Sequence, residues 1–281
     1  MASIKDKLLA IGAALAYPQV RLKPAITKEH FSGKWVLVTG ASHGIGRALT
    51  EKLIEADANV FLIARSEADL QYLCDRAKQR GNCADYCAID LRDREKLELL
   101  CQKLKETLPQ LDYFFCNAGK SIHRKITDAL DRLHDYDRTI DLNYRALVAL
   151  SLALLPTLKA SKGSIVYSSS VSTRYPMAPG WSAYHASKCA ANTWCETANS
   201  EFAPLGIRVQ IAYLPLVHTA MSDVNERYRQ LPAYYPADAA NILLRLAIRK
   251  GKRYQPWWAK LSAPIAYLFA PIVHLFYKRM V

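Results

Sequence analysis

Residues 35–46 read WVLVTGASHGIG, an apolar run followed directly by three closely spaced glycines. The run Trp35–Thr39 predicts a buried β-strand, and a helix is predicted from Arg47 to about Ala56. Glycines between a strand and a helix let the backbone approach a pyrophosphate, whose charge is stabilised at the helix N-terminus. The pattern G-x-x-x-G-x-G over Gly40–Gly46 therefore predicts a dinucleotide-binding turn.

The chain beyond this turn continues to alternate between strands and helices. The predicted strands are Asn59–Ala64, Asp85–Ile89, Asp112–Cys116, Ser164–Tyr167 and Arg208–Tyr213. Helices are predicted over residues 66–80 (capped by Ser66), 93–106 and 129–160, and again after residues 182 and 235. This alternation predicts an α/β fold, a Rossmann-type doubly wound parallel sheet in a single domain. In such a sheet, ligands bind at the carboxyl ends of the strands.

The end of the second predicted strand indicates which dinucleotide binds. An acidic residue there would bind the ribose hydroxyls of NAD, but the strand ends in Ala64 and Arg65. Arg65 suits the 2′-phosphate of NADP, with His43 assisting, so we predict NADP(H) as the cofactor. A solvated arginine at the start of a helix is the alternative. Asp90, after the third strand, is predicted to accept a hydrogen bond from the adenine amine.

The stretch Ser182–Lys188 reads SAYHASK and places a tyrosine four residues before a lysine. On a helix, Tyr184 and Lys188 lie on the same face. A neighbouring ammonium favours the phenolate and lowers a tyrosine pKa that starts near about 10. A phenol tuned in this way donates a proton to a carbonyl oxygen near neutral pH. Asn143, in an otherwise apolar helical stretch, is either a satisfied core amide or a kink that holds a water.

Together and in this order, these motifs resemble the short-chain dehydrogenase/reductase family over residues 33–257. The resemblance implies that Tyr184 is the general acid, that Lys188 modulates its pKa and binds the ribose, and that Asn143 holds a proton-relay water. It also implies a serine that orients the carbonyl. The family places this serine thirteen residues before the tyrosine, where this chain has Val171. We therefore choose Ser170, with Ser169 as the alternative.

The same resemblance implies a larger cofactor site. Its residues are Gly40, Ser42, His43, Gly44, Ile45, Gly46, Arg65, Asp90, Leu91, Asn117, Ala118, Gly119, Tyr184, Lys188, Pro215, Val217 and Thr219. Thr219 falls where the family holds the nicotinamide carboxamide. Leu214 and Pro215 stand where the family usually has Pro-Gly, which is a departure from its pattern.

A narrower resemblance to bacterial fatty acyl-CoA reductases is carried by Asn117–Arg124, Asp131–Thr139, Tyr213–Met221 and Tyr235–Ala240. It implies NADPH-dependent reduction of long-chain acyl-CoA thioesters to aldehydes. The basic loop with Lys120, Arg124 and Lys125 would then bind the phosphates of CoA, and a solvated loop is the alternative. Reductases of 3-oxoacyl or 3-keto sphingoid lipids share the scaffold. A catalytically silent, NADP-binding membrane adaptor is the alternative of another class, and the complete catalytic set argues against it.

The net charge of +13 is concentrated at the two ends of the chain. Residues 1–34 carry six Lys or Arg and two Asp or Glu, whereas residues 239–281 carry eight Lys or Arg and no acid. Both ends contain apolar runs, Leu8–Tyr17 and Leu261–Tyr277. An anionic membrane surface is therefore the predicted partner, and nucleic acid is not expected. Packing of Leu261–Tyr277 over the substrate cleft or against a second subunit of a homo-oligomer is the alternative.

These patterns divide the chain into three segments. We predict an N-terminal apolar and basic extension at 1–32, the NADP-binding catalytic domain at 33–257, and a membrane-interface segment at 258–281. Seven cysteines without a C-x-x-C pair favour a reducing compartment, and neither a disulfide framework nor a metal site is expected. We expect a cytoplasmic protein that is peripheral on a membrane. Export through the signal-like segment 1–20 is the alternative.

Overall fold

A computed structural model describes residues 12–108, 110–224 and 226–279. Within these residues, seven strands form one parallel sheet in the order β3-β2-β1-β4-β5-β6-β7. The strands are β1 Trp35–Thr39, β2 Asn59–Ala64, β3 Ala84–Ala88, β4 Tyr113–Cys116, β5 Ser164–Ser170, β6 Arg208–Leu214 and β7 Arg253–Tyr254. The central strands are almost entirely buried, as their continuous apolar runs predict.

Helices cover both faces of this sheet. In the described part of the chain they include α1 Pro24–Phe31, α2 Gly44–Glu55, α3 Glu67–Gln79, α4 Arg94–Thr107, α5 Leu133–Ile140, α6 Ala146–Ser161, α7 Ser182–Phe202, α8 Glu226–Arg229, α9 Pro236–Arg249, α10 Trp257–Leu268 and α11 Ala270–Lys278. One apolar core joins the sheet to α1, α2, α3 and α9, and the other joins it to α4, α6 and α7. The predicted Rossmann-type fold is confirmed.

The strand order creates a crevice in the middle of the sheet. From β1 the chain moves outward through β2 and β3, and from β4 it moves the opposite way through β5, β6 and β7. Thr39 at the end of β1 pairs with Cys116 of β4, which in turn pairs with Tyr167 of β5. The segments that follow β1, β4 and β5 therefore meet at one edge, where doubly wound sheets bind ligands.

The long helix predicted over residues 129–160 is corrected in two respects. Residues 129–132 form a turn, and α5 begins only at Leu133. A π-helical turn, Asp141–Arg145, then separates α5 from α6. A π turn widens one turn of a helix, and such turns are frequent at functional sites. Asn143 lies within it.

Further details differ from the sequence-based expectations, among them the start of α2, which is Gly44 and not Arg47, and the bounds of β3, which are Ala84–Ala88 and not Asp85–Ile89. Strand β5 extends beyond Tyr167 and includes all three serines, Ser168–Ser170. Strand β7 was not predicted, because two residues carry no recognisable period. Ser66 occupies the N-cap of α3, but its hydroxyl donates to the Asp69 carboxylate at 2.5 Å instead of accepting from a backbone N–H.

The N-terminal part of the described chain packs on the sheet. Phe31 of α1 is fully buried, with its ring 4.8 Å from Tyr113 and 6.4 Å from Phe115. Part of the predicted extension 1–32 thus contributes to the core, while the segment boundaries themselves remain predictions. The apolar run Leu8–Tyr17 is described only from residue 12 onward.

The two ends of the described chain lie together. The indole N–H of Trp257 donates to the Leu15 carbonyl and that of Trp258 to the Ala16 carbonyl, both at 2.9 Å. Helices α10 and α11 are bent relative to each other by 82°. No single helix among the described residues is long and apolar enough to cross a membrane, whereas this bent pair meets the length and composition criteria together.

Candidate active site

The glycine turn has the backbone geometry that its sequence predicts. Gly40 and Gly44 have φ values of +69° and +54°, in the left-handed region that side chains disfavour. An added Cβ at Gly46 would overlap the carbonyl oxygen of Gly40. His43, the N-cap of α2, provides no side-chain cap, so the first N–H groups of the helix remain available for an anion. These features fit the pyrophosphate of a dinucleotide.

Hydrogen bonds tie the ends of β1, β4 and β5 together. The Thr39 hydroxyl accepts from the backbone N–H groups of Asn117 and Ala118, both at 3.1 Å. The Ser168 hydroxyl donates to the Asn117 side-chain oxygen at 3.2 Å. An added Cβ at Gly119 would lie 3.3 Å from the Asn143 side-chain oxygen. The predicted Asn-Ala-Gly motif therefore links the glycine turn to the catalytic candidates.

Arg65 and Asp90 lie at the adenosine end of the predicted cofactor site. Arg65 is exposed, and within the described residues its side chain forms no hydrogen bond or ion pair. Asp90 accepts hydrogen bonds from the guanidinium of Arg92, which was not singled out from the sequence, at 2.9 and 3.0 Å. These bonds hold the pKa of Asp90 below its usual range. The His43 ring forms a hydrogen bond with the Ser42 hydroxyl at 2.8 Å. The contact of His43 with a 2′-phosphate stays a prediction.

The loop after β6 covers the glycine turn. An added Cβ at Gly44 would lie 3.2 Å from the Thr219 methyl group, which places Thr219 directly over the turn. The Thr219 N–H donates to the Ser222 hydroxyl at 2.9 Å, which fixes the loop. The remaining predicted cofactor residues are buried or half-buried around this edge: Ile45, Leu91, Pro215 and Val217.

Asn143 is a satisfied core amide and lies in the π turn. Its side-chain oxygen accepts from the Lys120 N–H at 2.8 Å, and its amide donates to the Lys120 carbonyl at 2.9 Å and to the Ser187 hydroxyl at 2.9 Å. It is completely buried. Asn143 thus clamps the segment after β4 to α7, and its predicted role in holding a water remains a prediction.

The three serines at the end of β5 point to different partners. The Ser170 hydroxyl interacts with the Tyr184 phenol, where it opposes the rise in pKa that burial causes. Ser169 donates to the Asn192 side-chain oxygen at 2.6 Å and is buried away from the tyrosine. Ser168 bonds to Asn117. Of the two serines considered from the sequence, the structure brings Ser170, and not Ser169, to Tyr184.

Lys188 lies on the predicted helix face but does not lower the pKa of Tyr184. Its ammonium donates to the Ser168 carbonyl at 2.8 Å and lies 4.7 Å from the centre of the Tyr167 ring. Burial lowers the pKa of Lys188 to about 8. Burial raises the pKa of Tyr184, the interaction with Ser170 opposes this, and Tyr228 adds to it. The predicted lowering by Lys188 is therefore wrong for the protein on its own, where burial of the phenol dominates.

The basic loop after β4 does not present three free cations. The Arg124 guanidinium donates to the buried carboxylate of Asp135 at 3.1 Å. Lys120 is half-buried, and burial together with the nearby guanidinium groups of Arg138, Arg92 and Arg65 lowers its pKa. Lys125 immediately precedes the 3-10 turn Ile126–Asp128. Lys120 thus faces the side of Arg65, whereas Arg124 is engaged in an internal ion pair.

An aromatic wall beside Tyr184 was not predicted. The Trp181 ring lies 5.9 Å from Tyr184, 4.6 Å from His123 and 6.1 Å from Tyr228, with the last pair nearly parallel. Trp181 precedes Tyr184 by three residues, a spacing that brings two side chains to the same side of a helical turn. This spacing could have indicated from the sequence that the two rings are neighbours. Burial is the main cause of the raised pKa of Tyr184, and Tyr228, one ring of this wall, adds to it.

Comparisons with known proteins agree with this geometry. A family profile described as short chain dehydrogenase matches residues 34–229, more than half of the chain. A fatty acyl-CoA reductase of Acinetobacter baylyi is 33% identical over 251 residues, covering 89% of this chain and 84% of that protein. A fatty acyl-CoA reductase of Mycobacterium tuberculosis is 32% identical over 241 residues, covering 85% and 82%.

Solved structures show the same fold. A short-chain dehydrogenase from Streptomyces avermitilis superposes with a TM-score of 0.71 at 26% identity, covering 87% of this chain and 95% of that one. A metagenomic short-chain oxidoreductase in complex with NADP gives a TM-score of 0.65 at 26% identity, covering 78% and 91%. With the profile match and the relatives, the glycine turn and the serine, tyrosine and lysine at one sheet edge establish that this chain belongs to the short chain dehydrogenase family of oxidoreductases.

Proposed function

We propose that this protein reduces long-chain fatty acyl-CoA thioesters to fatty aldehydes at a membrane surface. The observation that carries the proposal is the site itself: Ser170 interacts with Tyr184 beside Lys188 and Asn143, in a chain about one third identical to two fatty acyl-CoA reductases over most of its length. Such a site reduces a carbonyl, and the relatives favour a thioester carbonyl.

NADP(H) is the cofactor. The uncapped N-terminus of α2 offers N–H groups to the pyrophosphate, and Arg65 offers an unengaged guanidinium at the end of β2. A guanidinium forms strong, charge-assisted hydrogen bonds with a phosphate, which suits the 2′-phosphate that distinguishes NADP from NAD. The bound cofactor supplies the hydride.

The chain's own residues handle the carbonyl oxygen and the proton. Ser170 donates a hydrogen bond to the oxygen, and Tyr184 protonates it as negative charge develops there. The raised pKa keeps the Tyr184 phenol protonated at neutral pH, as a proton donor requires. With a thioester, the first product is a hemithioacetal, whose carbon–sulfur bond breaks to leave the aldehyde, while the thiolate of CoA takes up a proton.

Lys120 is the strongest of the three proposed contacts to the phosphates of CoA. It lies near three guanidinium groups, those of Arg65, Arg92 and Arg138, and this positive field suits a polyanionic substrate handle. Lys120→Ala should raise the KM for palmitoyl-CoA about tenfold, as expected for one lost charge-assisted bond, and leave that for hexadecanal nearly unchanged. Equal changes for both substrates would favour a solvated loop, and Lys96→Ala on exposed α4 is the matched control.

The C-terminal helices supply the proposed membrane contact. They expose a set of large apolar side chains: Leu261, Ile265, Leu268, Phe269, Ile272, Leu275 and Phe276. Basic residues lie at both ends of this surface, Lys260 on one side and Lys278 and Arg279 on the other. An apolar surface bordered by cations is typical of segments that lie in an anionic membrane interface. We place the protein at the cytoplasmic face of that membrane.

Hydrogen bonds connect this surface to the active site. The Tyr267 hydroxyl donates to the Tyr175 carbonyl at 3.2 Å, the Tyr277 hydroxyl donates to the Pro176 carbonyl at 3.3 Å, and Tyr175 and Ser262 share a bond of 2.6 Å. Tyr175 and Pro176 belong to the loop that follows Ser170. A lipid substrate entering from the membrane would therefore arrive beside the reacting groups.

The substrate class is tested by comparing kcat/KM for three carbonyl compounds of equal chain length. With NADPH, palmitoyl-CoA should exceed both 3-oxohexadecanoyl-CoA and hexadecanal by at least about tenfold, equivalent to roughly 1.4 kcal/mol of transition-state binding. A preference for the 3-oxo compound would instead assign the protein to the 3-oxoacyl or 3-keto sphingoid reductases. Binding of NADPH without turnover of any of the three would favour a membrane adaptor.

A further inference from the structure

His185 follows Tyr184 on α7 and is connected to it through two serines. The His185 Nε2 atom lies 3.1 Å from the Ser172 hydroxyl, which lies 2.9 Å from the Ser170 hydroxyl. The Ser172 N–H also donates to the Ser170 hydroxyl at 3.3 Å. Ser170 in turn interacts with Tyr184, whose burial-raised pKa it opposes. Three hydrogen-bonded side chains, those of His185, Ser172 and Ser170, thus lead from a buried imidazole to the proton donor.

The surroundings of His185 favour the neutral imidazole and one of its two tautomers. The side chain is 5% exposed, and within the described residues its Nδ1 atom has no hydrogen-bond partner. Burial lowers the pKa of the imidazole, which favours the neutral ring at pH 7. A buried N–H without a partner is rarer and more costly than a lone pair without one. The proton therefore lies on Nε2, and Nε2–H donates to the Ser172 hydroxyl.

This tautomer fixes the direction of every bond that follows. A serine hydroxyl has one proton to donate and two lone pairs that accept. Because Ser172 accepts from His185, its own proton is free for donation, and the Ser170 hydroxyl is the acceptor within reach of it among the described residues. The Ser170 oxygen then accepts from both the hydroxyl and the N–H of Ser172, so its proton is left for Tyr184 or for the carbonyl oxygen of the substrate. The opposite tautomer would turn the Ser170 proton back toward Ser172.

We propose that His185 is a positioning residue that acts through Ser172 to hold the Ser170 hydroxyl as a donor toward Tyr184 and the substrate carbonyl. The proposal rests on the oxidoreductase chemistry of the family and is independent of which acyl compound is reduced. It assigns a function to the two polar residues, His185 and Ser172, that the predicted catalytic set leaves out.

The tautomer is measured without any substrate. In protein labelled with 15N-histidine, the seven histidines give separate imidazole nitrogen signals, and loss of one set in His185→Gln identifies His185. At pH 7 we expect a neutral ring with a protonated Nε2 and an unprotonated Nδ1. A proton on Nδ1, or a ring charged at pH 7, would overturn the proposal whatever the substrate is.

Variants test the connection to catalysis, using whichever of the three carbonyl compounds the wild type reduces. His185→Leu and Ser172→Ala should each lower kcat about tenfold and change KM less than about threefold, because they alter a group that acts on the transition state. The double variant should lose little more than either single one, because both changes break the same chain. His185→Gln, whose amide can donate to Ser172, should keep at least about one third of the wild-type kcat.

Three results would contradict the role of His185. They are a kcat of His185→Leu within twofold of the wild type, losses that multiply in the double variant, and a glutamine variant no better than leucine although it binds NADPH normally. Ser172→Ala removes a single oxygen at a half-buried position, so it keeps the test valid if His185→Leu does not fold.

Discussion

At the scale of single residues, the i, i+4 spacing predicts which side chains share a helix face but not what surrounds them. The spacing of Tyr184 and Lys188 predicts correctly that both lie on one face of α7 near the sheet edge. It does not reveal that the Lys188 ammonium donates to the carbonyl of Ser168, twenty residues earlier in the chain. The i, i+4 rule concerns neighbours on one helix, whereas the pKa of Tyr184 depends on what β5 and the aromatic wall place around it.

The partners of the two adjacent serines favour Ser170 as the catalytic residue. Ser170→Ala should lower kcat at least about tenfold, because it removes the hydroxyl that interacts with Tyr184 and is proposed to donate to the carbonyl oxygen. Ser169→Ala should leave kcat within about threefold and instead lower the free energy of unfolding by about 1 kcal/mol, because its hydroxyl bonds to buried Asn192. Steady-state kinetics and urea unfolding of both variants measure these effects. The reverse pattern would move the catalytic role to Ser169.

Arg65 should decide the preference between cofactors. Arg65→Ala should weaken NADPH binding by about 1.5–3 kcal/mol, because it removes charge-assisted bonds to the 2′-phosphate. The affinity for NADH should change little, so NADH serves as the internal control. Fluorescence titration with both cofactors measures the two effects. Equal losses would show that Arg65 does not contact the phosphate and that a solvated arginine is the correct interpretation.

Strands were predicted best where the sequence is apolar without interruption. Strands β1 and β2 have the predicted bounds, because a buried strand in a parallel sheet is apolar without interruption. The π turn Asp141–Arg145 was not placed, because its insertion changes the geometry of a helix without changing its apolar composition. Asn143 in an apolar stretch was the signal that this helix is irregular.

The close packing of Gly46 against Gly40 predicts how α2 and the glycine turn respond to an added methyl group. Gly46→Ala should abolish NADPH binding and lower the free energy of unfolding by more than about 2 kcal/mol, because the added methyl group overlaps the backbone of Gly40 and separates α2 from β1. Gly251→Ala is the matched control, since its added Cβ would make an ordinary contact at 3.7 Å with Leu246. Calorimetric titration and thermal unfolding measure both properties. Normal NADPH binding by Gly46→Ala would contradict the packing described.

At the scale of the whole molecule, charge and apolar surface coincide. The chain ends contain most of the net charge, and Trp257 and Trp258 bond to residues 15 and 16, so the ends lie on one side. The basic and apolar character of each end can be read directly from the sequence. Their proximity could not be predicted, because it depends on contacts between residues more than two hundred positions apart.

This arrangement predicts binding to anionic membranes. Full-length protein should sediment with vesicles that contain phosphatidylserine, bind neutral vesicles less, and dissociate as salt screens its charges. Replacing Leu268 and Phe276 with Asp should release it, because both exposed side chains are proposed to enter the interface. Leu99→Asp, an exposed leucine on α4, is the matched control. Full-length protein that stays in the supernatant with anionic vesicles at low salt would rule out the membrane surface.

The central claim is reduction of an acyl-CoA thioester, and product stoichiometry tests it most directly. Purified protein is incubated with NADPH and palmitoyl-CoA, and NADPH oxidised, free thiol released and hexadecanal formed are measured together. We predict equal amounts of all three, and rates of formation at least about 10²-fold lower with Tyr184→Phe, which removes only the phenolic hydroxyl. Oxidation of NADPH without release of thiol and aldehyde, or no oxidation at all, would contradict the claim.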